Sequence, residues 1–312
     1  MISKQDITEA HTRIASYIHN TPVLTSSLIN EIAGCDLYFK CENFQRIGAF
    51  KMRGAANAVL QLSNAQKVNG VTTHSSGNHA QALAKMAQLA GLKATIVMPK
   101  TAPQVKVNAV KHYGADIVFC EPNLAARETA MQEIVNETGA TFIPPYNHEH
   151  IITGQATAAK ELLVAYPTLD YLVTPVGGGG LLAGAALTAH YFTKNTKVIG
   201  AEPEGADDAY QSFKQEKLIP SIKPNTIADG LLTSLGAINF EIIKQHVHDI
   251  FCVSDEEIKE AMRLIWERMK QVVEPSSAVA LAAVLKNPTV FKNKQIGIII
   301  SGGNVDLGKL PF

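Results

Sequence analysis

Short apolar, β-prone runs alternate with longer helical patterns along most of this 312-residue chain, and no other feature restricts its fold as strongly. "GVTTHSS" (70–76) precedes "GNHAQALAKMAQLAG" (77–91), "KATIVMP" (93–99) precedes "APQVKVNAVKHYG" (102–114), and "ADIVFC" (115–120) precedes "NLAARETAMQEIVNETG" (123–139). Further on, "DYLVTPV" (170–176) precedes "LLAGAALTAHYF" (181–192), "KVIGAE" (197–202) follows, and "QIGIIIS" (295–301) comes near the end. Apolar strands separated by amphipathic helices predict βαβ units and parallel sheets covered on both faces. The units of about 70–146 form one run between segments of a second sheet, so we expect two open, twisted α/β lobes with a cleft between them. The small one takes 70–146, and the large, discontinuous one takes 1–69 and 147–312.

Lys+Arg and Asp+Glu both number 28. This even balance gives no electrostatic footprint for nucleic acid or an anionic membrane. The N-terminal segment has no apolar core of a secretory signal, and no apolar run reaches membrane-spanning length. The four cysteines, Cys35, Cys41, Cys120 and Cys252, contain no CxxC pair. They read as buried free thiols in a reduced cytoplasm. The chain stops soon after "SGGNVD" (301–306), which predicts no C-terminal regulatory domain.

"PVGGGGLLAG" (175–184) sets four consecutive glycines between a strand and a helix start. Ordering them is entropically costly. Without Cβ atoms, their N–H groups can converge on an anion at the strand's carboxyl end, aided by the dipole of the following helix. The plainer alternative is a tight turn. No GK[ST] follows, which excludes a Walker A loop. "GGGLLA" (178–183) fits G-x-G-x-x-A, with Glu202 after the next strand, so a nicotinamide-dependent dehydrogenase stays open. A non-enzymatic, two-lobed small-molecule binding protein stays open too.

"NFQRIGAFKMRGAANAV" (43–59) puts Lys51 among small and apolar residues, with Arg53 nearby. Desolvation and a neighbouring cation both lower a lysine pKa, and a neutral amine can form a Schiff base. The alternative is a solvated lysine at a helix start. "THSSGNHAQALA" (73–84) places Ser75, Ser76, Gly77, Asn78 and His79 where a strand gives way to a helix, a setting for binding a carboxylate or for ordinary capping. "IIISGGNVD" (298–306) ends a buried strand on Ser301. Together these are the parts needed to hold pyridoxal phosphate and an amino acid.

The motifs "GAFKMRGA", "SSGNHAQALA", "PVGGGGLLAG" and "SGGNVD" resemble those of the fold-type II pyridoxal-phosphate enzymes with a tryptophan synthase β-like fold. Within these, the serine/threonine dehydratase family and its serine racemase-like members are closest. The resemblance covers essentially the whole chain. It implies that Lys51 carries the cofactor as a Schiff base, and that Gly177, Gly178, Gly179, Gly180 and Leu181 hold its phosphate. Asn78 then faces the ring hydroxyl, Phe50 and Gly230 line the ring, and Ser301 faces the pyridine nitrogen. A neutral hydroxyl there makes a weaker electron sink than a carboxylate, which suits elimination of a β-substituent. Freed Lys51 takes the α-proton. Elimination then gives a 2-oxo acid and ammonia, from L-serine, L-threonine or 3-hydroxyaspartate. Ser76, on the opposite face, would return the proton to give the D-amino acid.

Ser75, Ser76, Gly77, Asn78 and His79 match the substrate-carboxylate loop. Arg127 matches an arginine directed towards a side-chain carboxylate. Glu202, the Ala206 carbonyl and Asp208 match a site for Mg²⁺, Ca²⁺ or Mn²⁺. Ser26, Ser27, Gln81, Tyr113, Lys270 and Asn304 match positions that bind ATP between subunits of a homodimer. Ile47 and Ala49 replace two hydroxyl residues common in the family, and Arg46 stands where lysine is usual. Those departures bear on substrate preference and on nucleotide activation.

Overall fold

A computed structural model of the chain describes residues 2–102 and 104–312. Ten strands form two sheets: β1 (Val23–Leu24), β2 (Asp36–Cys41), β3 (Val71–His74), β4 (Ala94–Pro99), β5 (Asp116–Cys120), β6 (Thr141–Phe142), β7 (Tyr171–Pro175), β8 (Lys197–Pro203), β9 (Asp249–Val253) and β10 (Gln295–Ile300). The larger sheet has the order β1-β2-β10-β7-β8-β9 and the smaller β5-β4-β3-β6. Every pairing is parallel except the short antiparallel edge β1–β2.

Alternation along the strands feeds two cores at once. Ile296, Ile298 and Ile300 of β10 join Leu37, Phe39 and Val173 beneath the helices Asp255–Leu264 and Pro275–Lys286. Ile299 joins Leu172 and Val198 on the other face, beneath Glu149–Ala165 and Gly180–Phe192. A strand buried on both faces reads as a continuous apolar run, as "IGIII" does. The smaller sheet is likewise covered on both sides. Val71, Ile96 and Met98 face the Asn78–Ala90 helix, and Val97 and Cys120 face Leu124–Thr138. Its core also takes Met52, Ala55, Ala56 and Val59 from the helix Lys51–Leu60. That helix therefore packs on the smaller sheet while its N-terminus meets the end of β10, where Phe50 N–H donates to the Ser301 carbonyl at 2.9 Å.

Glycines let the Lys51–Leu60 and Glu149–Ala165 helices touch backbone to backbone. A Cβ on Gly154 would meet the Arg53 carbonyl and Gly54 Cα, both at 2.6 Å. Gln155 Oε1 accepts the Gly54 N–H at 3.1 Å. Beside this crossing lies a buried ion network. Arg53 Nε and Nη2 donate to the two carboxylate oxygens of Glu42 at 2.7 and 2.8 Å. Nη1 and Nη2 donate to those of Glu161, both at 2.8 Å. Lys40 Nζ meets Glu161 Oε2 at 2.6 Å. Two cations and two carboxylates balance within a site shut off from water.

The sequence places Arg53 as a cation acting on Lys51, and the structure corrects this. Its charge is neutralised by Glu42 and Glu161, and burial rather than a neighbouring cation depresses the Lys51 amine. The cysteines are unpaired. Among the described residues, no helix is long and apolar enough to cross a membrane.

Removing one partner of a buried ion pair leaves an uncompensated charge, at a cost of about 3–5 kcal/mol. Arg53→Met should lose stability of that order, read from the urea midpoint. Adding Glu42→Gln to that variant removes the surplus carboxylate and should recover part of the loss. A double variant no more stable than the single one would show that the charge balance is not the cause.

Candidate active site

Parallel strands direct their carboxyl ends, and the loops that follow, to one edge of each sheet. At the edge of the larger sheet, β10 runs into Ser301 and β7 into Gly177–Gly180. At the edge of the smaller, β3 runs into Ser75–Gly77. Lys51 opens its helix facing this region. Its Nζ donates to the Pro145 carbonyl at 2.8 Å, 5.3 Å from the centre of the Phe50 ring and 5.9 Å from that of Tyr146. Burial brings the amine down to about 8, against a smaller upward pull from Glu274. An amine at that value has a substantial neutral fraction near physiological pH.

The glycine loop has two constraints on it. Gly179 has φ +89°, in the left-handed region. A Cβ there would meet Leu235 Cδ1 at 2.5 Å, and a Cβ on Gly178 would run into the Tyr146 ring. The Gly178 carbonyl is turned away from the loop, accepting from Asn239 Nδ2 at 2.6 Å and from Gly236 N–H at 3.1 Å. The amides of Gly177, Gly178, Gly179, Gly180 and Leu181 have no acceptor among the described residues, although the loop is buried. Buried, unsatisfied N–H groups at a helix start fit the phosphate of a cofactor.

Asn78 lies across the cleft in a polar chain. Its Nδ2 donates to Glu274 Oε1 and its Oδ1 accepts from Asn304 Nδ2, both at 2.8 Å. Asn304 Nδ2 also reaches the Ile47 carbonyl at 2.8 Å, bracing Ile47 at φ +63°. That conformation is strained for a β-branched residue. Glu274 is almost wholly buried, and burial raises its carboxyl to about 7. Gly230 N–H donates to Ser276 Oγ at 2.9 Å. Ser301 is buried with its hydroxyl 3.0 Å from Ser277 Oγ.

Of the residues singled out in the sequence, Lys51, Phe50, Asn78, the glycine loop, Gly230 and Ser301 come to this one region through these contacts. Ser75 Oγ accepts the Gly77 N–H at 3.3 Å, and the space over Gly77 is open. His79 turns its ring inward, Nε2 lying 3.0 Å from the Ile143 carbonyl, and burial lowers it to about 3. Its other ring nitrogen, Nδ1, is buried without a partner among the described residues. Arg127, near His74 and Cys120, keeps a buried Nε without a partner among the described residues.

Glu202 accepts from Ala209 and Tyr210 N–H groups at 3.0 and 2.7 Å. Asp208 Oδ2 accepts from Leu235 N–H at 2.8 Å, while its buried Oδ1 has no partner among the described residues. Two buried carboxylates that repel each other, one with an unpartnered oxygen, suit an oxygen-ligated cation, although no cluster of three or more metal-binding side chains gathers among the described residues. Lys270 and Asn304 line a cavity of about 410 Å³ with Asn43 and Phe44. Gln81 and Asn304 line a second, of about 510 Å³. Ser26 caps the helix Ser27–Ala33 through Ile29 N–H, and Tyr113 lies under Lys85 Nζ, so neither reaches these cavity walls within one chain.

Sequence reasoning missed Glu274, Ser277 and Tyr146. "EPSSA" (274–278) looks like an ordinary helix start with proline at its first position. Only the fold shows that it faces Asn78 and Ser301.

The family profile described as pyridoxal-phosphate dependent enzyme matches residues 14–302. A β-hydroxyaspartate dehydratase of Paracoccus denitrificans is 50% identical over 308 residues, covering 99% of this chain and 98% of its own. A crystal structure of serine racemase from Dictyostelium discoideum superposes with a TM-score of 0.94 at 49% identity, covering 98% of this chain and 99% of that one. The crystal structure of a T.th. threonine deaminase also superposes with a TM-score of 0.94, at 41% identity and the same coverages. The fold is that of the fold-type II enzymes, and the chain belongs to the family of pyridoxal-phosphate-dependent enzymes.

Proposed function

We propose that this enzyme removes ammonia from a β-hydroxy amino acid, L-serine or L-threonine, to leave the 2-oxo acid, and that it also interconverts the enantiomers of serine. The observation that carries the reading is Lys51: a depressed amine held between two aromatic rings, in a cleft shared with a glycine loop whose amides are uncommitted. The relatives support the substrate class, since their names share a β-hydroxy amino acid.

Pyridoxal phosphate, once bound, withdraws electrons from the substrate's α-carbon. The chain's residues do the rest. The amides of Gly177–Leu181 hold the phosphate, Asn78 meets the ring hydroxyl, Phe50 and Gly230 line the ring, and Ser301 meets the ring nitrogen. The loop of Ser75, Ser76, Gly77, Asn78 and His79 binds the substrate carboxylate through backbone N–H groups. Lys51 Nζ is the covalent anchor and then takes the α-proton. The β-hydroxyl leaves as water, and hydrolysis of the resulting enamine regains that water, so the net products are the 2-oxo acid and ammonia. Ser76 returns a proton to the opposite face when the outcome is the D-enantiomer. Glu202, Asp208 and the Ala206 carbonyl bind Mg²⁺ or a similar cation. A nucleotide activator lies against Lys270 and Asn304 in a cytoplasmic homodimer.

One observation favours a second substrate, 3-hydroxyaspartate: the unpartnered, buried Arg127 Nε can receive a side-chain carboxylate.

Four measurements follow from this site. Lys51 must be neutral to capture an aldehyde, so uptake of pyridoxal phosphate by the apoprotein should climb through pH about 8 and level off. A rate still climbing towards 10.5, the ordinary lysine value, would mean that the amine is not depressed. Lys51→Ala should take up no covalently bound cofactor.

Ser76→Ala should lower racemisation of L-serine by about a hundredfold or more, the usual contribution of a proton carrier, and spare most elimination from L-serine. An undiminished rate of enantiomer interconversion would exclude Ser76 as that carrier.

Arg127→Ala should cost 3-hydroxyaspartate about tenfold to a hundredfold in kcat/KM relative to L-serine, the range for one charge-assisted contact. Equal losses on both substrates would remove Arg127 from the site.

A further inference from the structure

Two helices frame the glycine loop and run away from it side by side. The Gly180–Phe192 helix starts within the loop. The Ala237–His246 helix starts beside it, where Gly236 N–H and Asn239 Nδ2 reach the Gly178 carbonyl. The two share one apolar core, to which they give Ala186, Leu187, Phe240 and Ile243. At their far ends two histidines meet. His190 lies in the last turn of the first helix, and His246 ends the second. Their ring centres are 4.5 Å apart, with the planes tilted by 41°.

Neither ring has a hydrogen-bond partner among the described residues. Elsewhere His11, His19 and His79 are each engaged by a protein group through a ring nitrogen. Burial lowers His246, and the adjacent His190 lowers it further, so it stays neutral, the form in which imidazole binds a metal. An imidazole nitrogen lies about 2.0–2.1 Å from its ion, and the ring centre roughly 1.1 Å beyond, so two imidazoles at about 90° on one ion have centres roughly 4.5 Å apart. That is the spacing found here. Right-angled imidazole ligation belongs to square-planar and octahedral ions such as Cu²⁺ and Ni²⁺. The carbonyl ends of two helices favour positive charge at the same place.

We propose that His190 and His246 together bind one divalent transition-metal ion of the Cu²⁺ or Ni²⁺ class, which ties the two helices at the ends opposite the glycine loop. Among the described residues no third metal-binding side chain joins them, so water fills the remaining positions. The site is separate from the carboxylates Glu202 and Asp208 in both place and ligand type.

The test is a calorimetric Ni²⁺ titration of the holoenzyme, with Mg²⁺ in excess to occupy oxygen-ligated sites. The wild type should bind Ni²⁺ and melt at a higher temperature with it, and a chelator should reverse the rise. His190→Ala and His246→Asn should each weaken binding at least tenfold to a hundredfold, about the range that an outer-shell change alone produces. The double variant should lose far less than the two losses combined, because both rings serve one ion. A wild type that binds no Ni²⁺ overturns the proposal without any variant, so it stays testable even if His246→Asn misfolds. Weakening by only one substitution means that the ion sits on a lone histidine, and the shared site fails. Losses that add in full mean two separate sites, which also overturns it. Unchanged binding in both variants places the ion elsewhere, the close pair His148 and His150 being the first alternative, and overturns it too.

Discussion

Arg53 and the two carboxylates that clasp it fix the helix on which the whole site depends. All four hydrogen bonds to Glu42 and Glu161 lie between 2.7 and 2.8 Å. Lys51 lies two residues earlier on the same helix, about 200° around it at roughly 100° per residue. The face that carries Arg53 is therefore clamped against Glu161 and against Glu42, just past the end of β2, while the opposite side presents Lys51 to the cleft. Rotation of the helix about its axis would strip a buried guanidinium of its partners, which is far more costly than any gain at the lysine. The close approach at Gly54 and Gly154 blocks the remaining freedom, translation along the neighbouring helix.

The same chain segment thus builds two electrostatic environments of opposite character. Behind the helix, charges are paired one for one, and both Arg53 and Glu161 are held in their charged forms. In front of it, burial works without full compensation. The Lys51 amine falls to about 8 and the Glu274 carboxyl rises to about 7, so both groups change charge near neutral pH. A structural network and a reactive site are told apart here by whether each buried charge has a geometric partner. Asn78 links the two sides of the cleft, bonding Glu274 with one end of its amide and Asn304 with the other.

Much of this was legible in the sequence, and what was not shares one physical cause. Runs such as "QIGIIIS" and "KATIVMP" carry their burial in their own composition, and β10 and β4 lie where such runs predict. The glycine loop, Lys51 and Asn78 stand in local motifs. By contrast, "DLYFKC" (36–41) holds Asp36 and Lys40, yet it forms a strand paired with the central β10. Lys40 tolerates burial because Glu161, far along the chain, neutralises it. Arg53 was misread for the same reason: its partners are 11 and 108 residues away. Glu274 and Ser277 belong to a helix start that would be unremarked anywhere else. Their meaning comes from the end of β10 crossing over them, and no local pattern encodes that crossing.

The glycine loop shows how a packing demand and a binding demand can fall on the same residues without being the same demand. Side chains at Gly178 and Gly179 are excluded by Tyr146 and Leu235, so packing alone would keep these positions glycine. Packing does not, however, account for the five successive amides without acceptors. A buried N–H left unpaired costs free energy, and tertiary contacts here satisfy a carbonyl, that of Gly178, and none of those donors. By binding that carbonyl from behind, Asn239 turns the peptide dipole so that its N–H side faces the cleft. The anion site therefore depends on a side chain outside the motif, and the entropy lost in ordering four glycines is offset only when an acceptor meets the donors they expose.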